Sequence, residues 1–386
     1  IFKLHQAQTF QFPSCLEVKS AKGNYITDIN EKKYLDFVAG VSANTLGHSN
    51  PIITNAITDQ LQKYTHVMVY GEYVQSPQYK LAKRLSENLP KTLSTTYFVN
   101  SGTEAIEGAM KLAKRATGRS EIISCKNSYH GSTQGSLSIM GNENHKEKYR
   151  PLLPHCNQII FNNENSLNSI TKKTAAIVIE IIQGGTGFIT ITNNFLKKLR
   201  ERCNETGTLL IFDEIQTCFG RLGKLFGFEK YEVIPDILCI AKGMGAGMPI
   251  GAFISSFELM NLLSFNPKLG HITTFGGHPV NCSASLACLE HLLSSNLMQE
   301  TNKKENLFRK HLLHPKIKEI RGKGLMLSIE FEDEELAKKV VERSLENGLI
   351  LFYFLFTKTS IRITPPLTIS EKEIIKGCEI IKKVLD

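Results

Sequence analysis

From about residue 95 onward, short apolar runs closed by turn residues alternate with stretches in which apolar positions recur every three or four residues. Thr95 to Val99, Glu121 to Cys125, Gln158 to Phe161 and Ala175 to Ile182 read as strands; Thr103 to Ala116 and Asn193 to Glu205 read as helices, the second stopped by Gly207. Two further strands, Leu209 to Phe212 and Ile237 to Ala241, follow, and Pro249 to Ser255 is placed to return as a hairpin partner. This alternation predicts an α/β fold with a largely parallel sheet covered by helices. Upstream, Asn50-Pro51 and Ser76-Pro77 each place a cap before a proline suited to the first helical turn. Gly23-Asn24 and the turn around Asp28 to Lys32 separate β-rich runs near the start. Beyond about residue 285 the chain turns to Lys/Glu-rich helices and short strands, among them Ile350 to Phe356. Ser370 and Glu373 form a capping box for a last helix that buries Ile374, Cys378, Ile381 and Leu385. The predicted organisation is a large domain over 48–284 and a smaller α+β domain made from 1–47 and 285–386.

The stretch from Thr208 to Ala252 carries the chemistry. One apolar run ends in Asp213 and Glu214; a second ends in Lys242, followed by alternating glycines. A buried strand closed by a charged residue delivers that residue to the carboxyl edge of a sheet, where open α/β sheets bind ligands. Two such deliveries of opposite charge point to a single pocket.

Composition narrows the class without choosing it. At 386 residues the chain exceeds one compact core. A net charge of +9 is spread among acids rather than gathered into a patch, so it argues against nucleic acid and for anionic small molecules. Nine cysteines without a C-x-x-C pair, several inside apolar runs, argue against a zinc site or a disulfide scaffold and for a reducing, cytoplasmic setting. No apolar run reaches membrane-spanning length. The chain opens on Ile1 rather than Met, which leaves a preceding segment open.

Asn100-Ser101-Gly102-Thr103-Glu104 follows a strand and opens an amphipathic helix. Free N–H groups, two hydroxyls and the helix dipole converge there, which suits a phosphate; simple capping by Ser101 or Thr103 explains the same residues. Lys242, desolvated at a strand end, has the character of a nucleophilic amine able to form a Schiff base, although a lysine snorkelling from a strand end reads the same way. Gly243-Met244-Gly245-Ala246-Gly247 resembles a dinucleotide turn, but Met248 stands where the third glycine belongs and no helix pattern follows. A strand-end aspartate such as Asp213 is the partner that keeps a pyridoxal ring nitrogen protonated.

Taken together, these residues resemble the class III aminotransferases, pyridoxal-phosphate enzymes of fold type I. The likeness rests on GNYITDINEKKYLDFVAG (23–40), LGHSNP (46–51), FVNSGTEAIEGAMKLAKRATG (98–118), YHG (129–131), DEIQTCFGRLGKLFGFE (213–229), PDILCIAKGMGAGMPIGA (235–252), TFGGHPV (274–280) and IRITPPL (361–367). The resemblance implies a mostly parallel seven-stranded sheet, a homodimer with sites at its interface, and a ping-pong Schiff-base mechanism. It implies that Lys242 bonds the cofactor and shuttles the proton, that Asp213 holds the ring nitrogen and that Gln216 meets the phenolic oxygen. Ser101, Gly102 and Thr103 would bind phosphate, Tyr129 would stack on the ring with His130 and Glu180 beside it, and Thr274 would reach the neighbouring subunit's phosphate. Arg362 would grip a substrate carboxylate, with Ser132 and Thr273 also on the substrate side.

Three departures bear on the substrate. Acetylornithine- and ornithine-type members carry arginine at the position of Ser132, and their E-P-x-Q-G-E segment stands here as Glu180-Ile181-Ile182-Gln183-Gly184-Gly185. The glutamate missing at Gly185 is the one that masks the arginine matching Arg362 in ω-amino acid enzymes. Cys218 replaces a common glycine. The reading is a transaminase passing an amino group from an amino acid or ω-amino acid to a 2-oxo acid such as 2-oxoglutarate or pyruvate. The alternatives are another pyridoxal-phosphate reaction on the same scaffold (racemase, aminomutase or decarboxylase) or a binding protein that has lost catalysis.

Overall fold

A computed structural model describes residues 1–386. Its centre is a seven-stranded sheet in the order Thr95–Val99, Gly251–Ser255, Ile237–Ile240, Leu209–Asp213, Thr174–Glu180, Glu121–Cys125 and Cys156–Ile159. Neighbours run parallel except Gly251–Ser255, which is antiparallel to both of its partners. The strands are apolar on both faces because both faces are covered. Ile177, Ile179, Leu210, Phe212, Leu238 and Ile240 point into the larger core, while Ala176, Val178, Ile211, Ile237 and Cys239 point into a smaller one shared with the helix Gly102–Thr117.

That helix is the one the site depends on. Ser101 caps it by accepting the Glu104 N–H, and Gly118 closes it in the left-handed conformation, which favours glycine. It lies close to the sheet at Gly108, where an added Cβ would stand 2.3 Å from the fully buried Phe253 ring. On the other face, the helices Pro51–Leu61 and Ser76–Ser86 pack on Pro279–Ser294.

The remaining strands form smaller sheets. Val18–Lys22, Tyr25–Asp28 and Lys33–Asp36 make an antiparallel meander that Leu349–Ile350 extends in parallel. Glu319–Lys323, Met326–Glu330, Ser360–Ile363 and Phe352–Tyr353 make an antiparallel sheet of their own. The Ile350 to Phe356 run is therefore not one strand. Its neighbours on either side of Leu351 belong to different sheets, and the chain crosses between them there. The ladder expected over Ala175 to Ile182 likewise stops at Glu180, whose carboxylate accepts the Gly184 N–H at 2.8 Å and turns the chain. The expected Gln158 to Phe161 strand is shifted to Cys156–Ile159, in register with Ile122 to Cys125. After Lys242 the glycines form a single 3-10 turn that runs into a strand, so no dinucleotide helix follows.

Glu214 ties the end of the central strand to the turn at 227–230. Fully buried, it accepts the N–H groups of Gly227 and Phe228, both at 2.5 Å, and the Thr217 hydroxyl at 2.9 Å. Burial nevertheless pushes its carboxyl up to about 7. A carboxyl raised on folding contributes stability in full below its unfolded value and loses it as pH climbs through the folded one. In a urea-unfolding series, wild type should lose stability relative to Glu214→Gln as pH rises from about 4.5 to about 7. At Gly108, valine gains a few tenths of a kcal/mol in helix propensity but overpacks Phe253 at a cost of about 1–3 kcal/mol. Gly108→Val should therefore lower the urea midpoint and the Tm.

Candidate active site

The carboxyl ends of the strands open into a cavity of ≈ 850 Å³. Parallel register explains why its charged residues meet: Asp213 ends its strand directly opposite Glu180 on one side and Cys239 on the other. Three residues past Cys239 comes Lys242, with a positive φ of 44°. That conformation costs a non-glycine residue on the order of 1–3 kcal/mol, and strain of this kind collects at functional sites. The Lys242 amine has no hydrogen-bond or ion-pair partner in the chain, and burial lowers its pKa, with Asp213 opposing the shift and Arg362 adding to it.

Asp213 is held rigidly. Its Oδ2 lies 2.7 Å from His130 Nδ1, and its Oδ1 accepts the Ile215 N–H at 3.1 Å. Burial pulls the His130 imidazole down, but the bond to Asp213 and its charge win, so the ring is raised and favours the cation. His130 Nε2 is buried with no partner. Glu180 accepts the Tyr129 N–H at 3.1 Å as well as that of Gly184, and burial drives it up to about 7. Gln216 sits beside Gly184 and donates to Ser42 Oγ at 3.2 Å.

At the other end of the cavity the helix start presents the N–H groups of Gly102 and Thr103, which have no partner within the helix. Ser101 serves as the cap, and the N–H groups before Glu104 stay free. The loop at 131–133 closes on the same spot. A Cβ on Gly131 would stand 2.3 Å from Thr103 Oγ1, and that hydroxyl bonds Thr133 and Ser136 at 2.7 and 2.5 Å. Tyr129 is half-buried on the cavity wall with its hydroxyl 3.2 Å from that of the exposed Ser132.

Arg362 enters from the separate antiparallel sheet. It is buried, its Nε donates to the Tyr353 carbonyl at 3.0 Å, and its guanidinium lies 4.7 Å over the Phe354 ring. No carboxylate pairs with it, and burial lowers its pKa to about 10. Gly185 explains the missing partner: a Cβ there would stand 2.6 Å from the Phe356 ring, which fills the space a longer side chain needs.

Lys242, Asp213, His130, Glu180, Gln216, Ser101, Gly102, Thr103, Tyr129, Ser132 and Arg362 all line this cavity. Thr273 and Thr274 do not line the cavity of their own chain. Thr273 accepts the Gly276 N–H at 2.8 Å, and Thr274 is exposed on the same loop. The sequence reading missed the wall at Phe352 to Leu355 and the left-handed turn through Val41, because an aromatic-rich run reads as strand and a short loop carries no periodicity. The arrangement is suited to an anionic group at one end, a carbonyl within reach of an unpaired amine, and a carboxylate on Arg362.

Comparison with known proteins agrees with this geometry. The family description "Aminotransferase class-III" matches residues 7–385. The acetylornithine aminotransferase of Methanopyrus kandleri is 36% identical over 380 residues, covering 98% of this chain and 95% of that one. The ornithine aminotransferase of Toxoplasma gondii ME49 superposes with a TM-score of 0.92 at 29% identity, covering 100% of this chain and 93% of that one. An amine transaminase from an uncultivated Pseudomonas species, solved in its PLP-bound form, superposes with a TM-score of 0.89 at 26% identity, covering 98% of each. These structures share the fold type I architecture, and their family depends on pyridoxal phosphate. The chain belongs to the class III aminotransferases, enzymes that move an amino group from an amino acid to a 2-oxo acid.

Proposed function

We propose that this chain holds pyridoxal phosphate in the cavity described above and that Arg362 binds the substrate carboxylate in both halves of a ping-pong transfer. The residues present fit the cofactor. The free N–H groups of Gly102 and Thr103 suit its phosphate, the unpaired Lys242 amine suits its aldehyde, and buried Asp213 suits a protonated ring nitrogen. When bound, the cofactor supplies the aldehyde that takes up the amino group and the electron sink for proton transfer.

The chain's own residues then divide the work. Lys242, with its pKa lowered by burial, holds and moves the proton at Nζ once the substrate amine has displaced it. Asp213 keeps a negative charge facing the ring nitrogen, and His130 fixes the orientation of that carboxylate. Gln216 would meet the ring oxygen and Tyr129 would offer its face to the ring, while Glu180 braces the loop at 129 and the turn at 184. We also propose a homodimer in which Thr274 of the partner subunit meets the phosphate. The exposure of Thr274 beside exposed Ile272 and Phe275 supports an interface there.

The observation that carries the reading of Arg362 is its unpaired, buried guanidinium with Phe356 standing against Gly185. With no acid to swing away, the same fork serves donor and acceptor, which favours a donor whose amine lies next to its carboxylate.

Two experiments test this. Borohydride treatment of protein mixed with pyridoxal phosphate should fix the cofactor's mass on the Lys242 peptide, and Lys242→Ala should yield no such adduct. Loss of a charge-assisted hydrogen bond costs about 1.5–3 kcal/mol, so Arg362→Ala should raise KM for the 2-oxo acid at least tenfold. An unchanged KM would sink the shared role of Arg362.

A further inference from the structure

We infer that the site takes 2-oxo acids with one carboxylate and an uncharged remainder, an inference that rests on the aminotransferase reading above. The chain brings two basic groups besides His130 to the cavity, Lys242 and Arg362, and two acids, Glu180 and Asp213. His130 is committed to Asp213, and Lys242 to proton transfer at the cofactor rather than to the far end of the substrate. One cation remains for substrate. Arg362 itself is already engaged through Nε with the Tyr353 carbonyl and through its face with Phe354, which leaves its terminal N–H groups for one carboxylate.

What surrounds that position is neutral. Phe352, Phe354 and Leu355 line the cavity beside Arg362, and Ile182 lies across from them. The Phe356 ring closes the side at Gly185, with the His145 ring edge-on to it at 5.1 Å. Beyond His145, Lys146 and Arg150 both pair with Glu143, at 3.5 and 2.5 Å, and neither lines the cavity. At the mouth stands Ser132, whose hydroxyl is turned to Tyr129. A second carboxylate on the substrate would lose its water against this wall and find no cation from this chain, whereas an alkyl chain loses nothing polar there.

Valerate and glutarate have the same five-carbon chain with one and two carboxylates, and neither can be aminated. Their binding to the holoenzyme, measured by calorimetry, therefore reports recognition without turnover. Valerate should bind at least tenfold more tightly than glutarate. Ser132→Arg, which adds a cation at the mouth, should tighten glutarate at least tenfold relative to valerate. The kcat/KM ratio of 2-oxovalerate over 2-oxoglutarate should move in parallel. Glutarate binding as tightly as valerate, or more tightly, in the wild type would overturn the inference, since it requires a second cation reaching the site from elsewhere, a partner copy included. A valerate preference without amino transfer to any 2-oxo acid would leave this inference standing and remove the reading on which it rests.

Discussion

Asp213 carries a charge into the interior at the end of the central strand, and much of the site is arranged so that it stays there. A carboxylate in a buried position is costly unless it is paired and hydrogen-bonded. Here His130 supplies the partner at 2.7 Å and the Ile215 N–H supplies a second bond. The pairing raises His130 against the pull of its own burial. It also sets the environment of the two other ionisable groups at the sheet edge. Burial drives Glu180 up, with Asp213 adding to the rise and His130 opposing it. Burial lowers Lys242, with Asp213 opposing. An amine whose pKa is depressed by burial is what Schiff-base chemistry at neutral pH requires.

Sheet geometry makes this arrangement cheap to build. Parallel strands end on the same side, so residues distant in sequence come to one edge without long loops. Asp213 and Glu180 are register partners, and Lys242 follows the next strand over. The other end of the cavity uses a different device: a helix whose first N–H groups are free, pressed close to the sheet because Gly108 leaves room for Phe253. The loop at Gly131 abuts that helix start so closely that Thr103 lies where a side chain would go. Helix position, loop position and the Asp213–His130 contact are thus linked through a few close approaches.

The buried, unpaired guanidinium of the cavity comes from another part of the chain. Arg362 and the residues around Phe354 belong to the antiparallel sheet of the C-terminal region, and the run from Leu349 to Tyr353 crosses between two sheets on its way past the cavity. A guanidinium stacked on an aromatic ring and bonded once to backbone is held in orientation while its other N–H groups stay available. The Phe356 ring stands against Gly185 and fills the space a side chain there would need. The strand-end charges of the large sheet and the guanidinium of the C-terminal sheet thus belong to separate structural layers that meet at one cavity.

The apolar runs, caps and strand-end charges were legible from residue order alone, because they follow from backbone periodicity and local hydrogen bonding. The Ser101 cap, the Ser370–Glu373 capping box and the Gly207 stop are all local, and each stands in the structure. Asp213 and Lys242 were legible as a pair because each closes an apolar strand. The assignment of Tyr129, Gln216 and Arg362 needed resemblance to a family, since no local signal marks them. Only the tertiary structure decided that His130 orients Asp213, that the 349–356 run divides between two sheets, and that Phe356 fills the space beside Gly185. Those facts depend on contacts across more than 80 residues of chain in the case of His130 and Asp213, or on the volume left by neighbours. Periodicity and local capping carry no information about either.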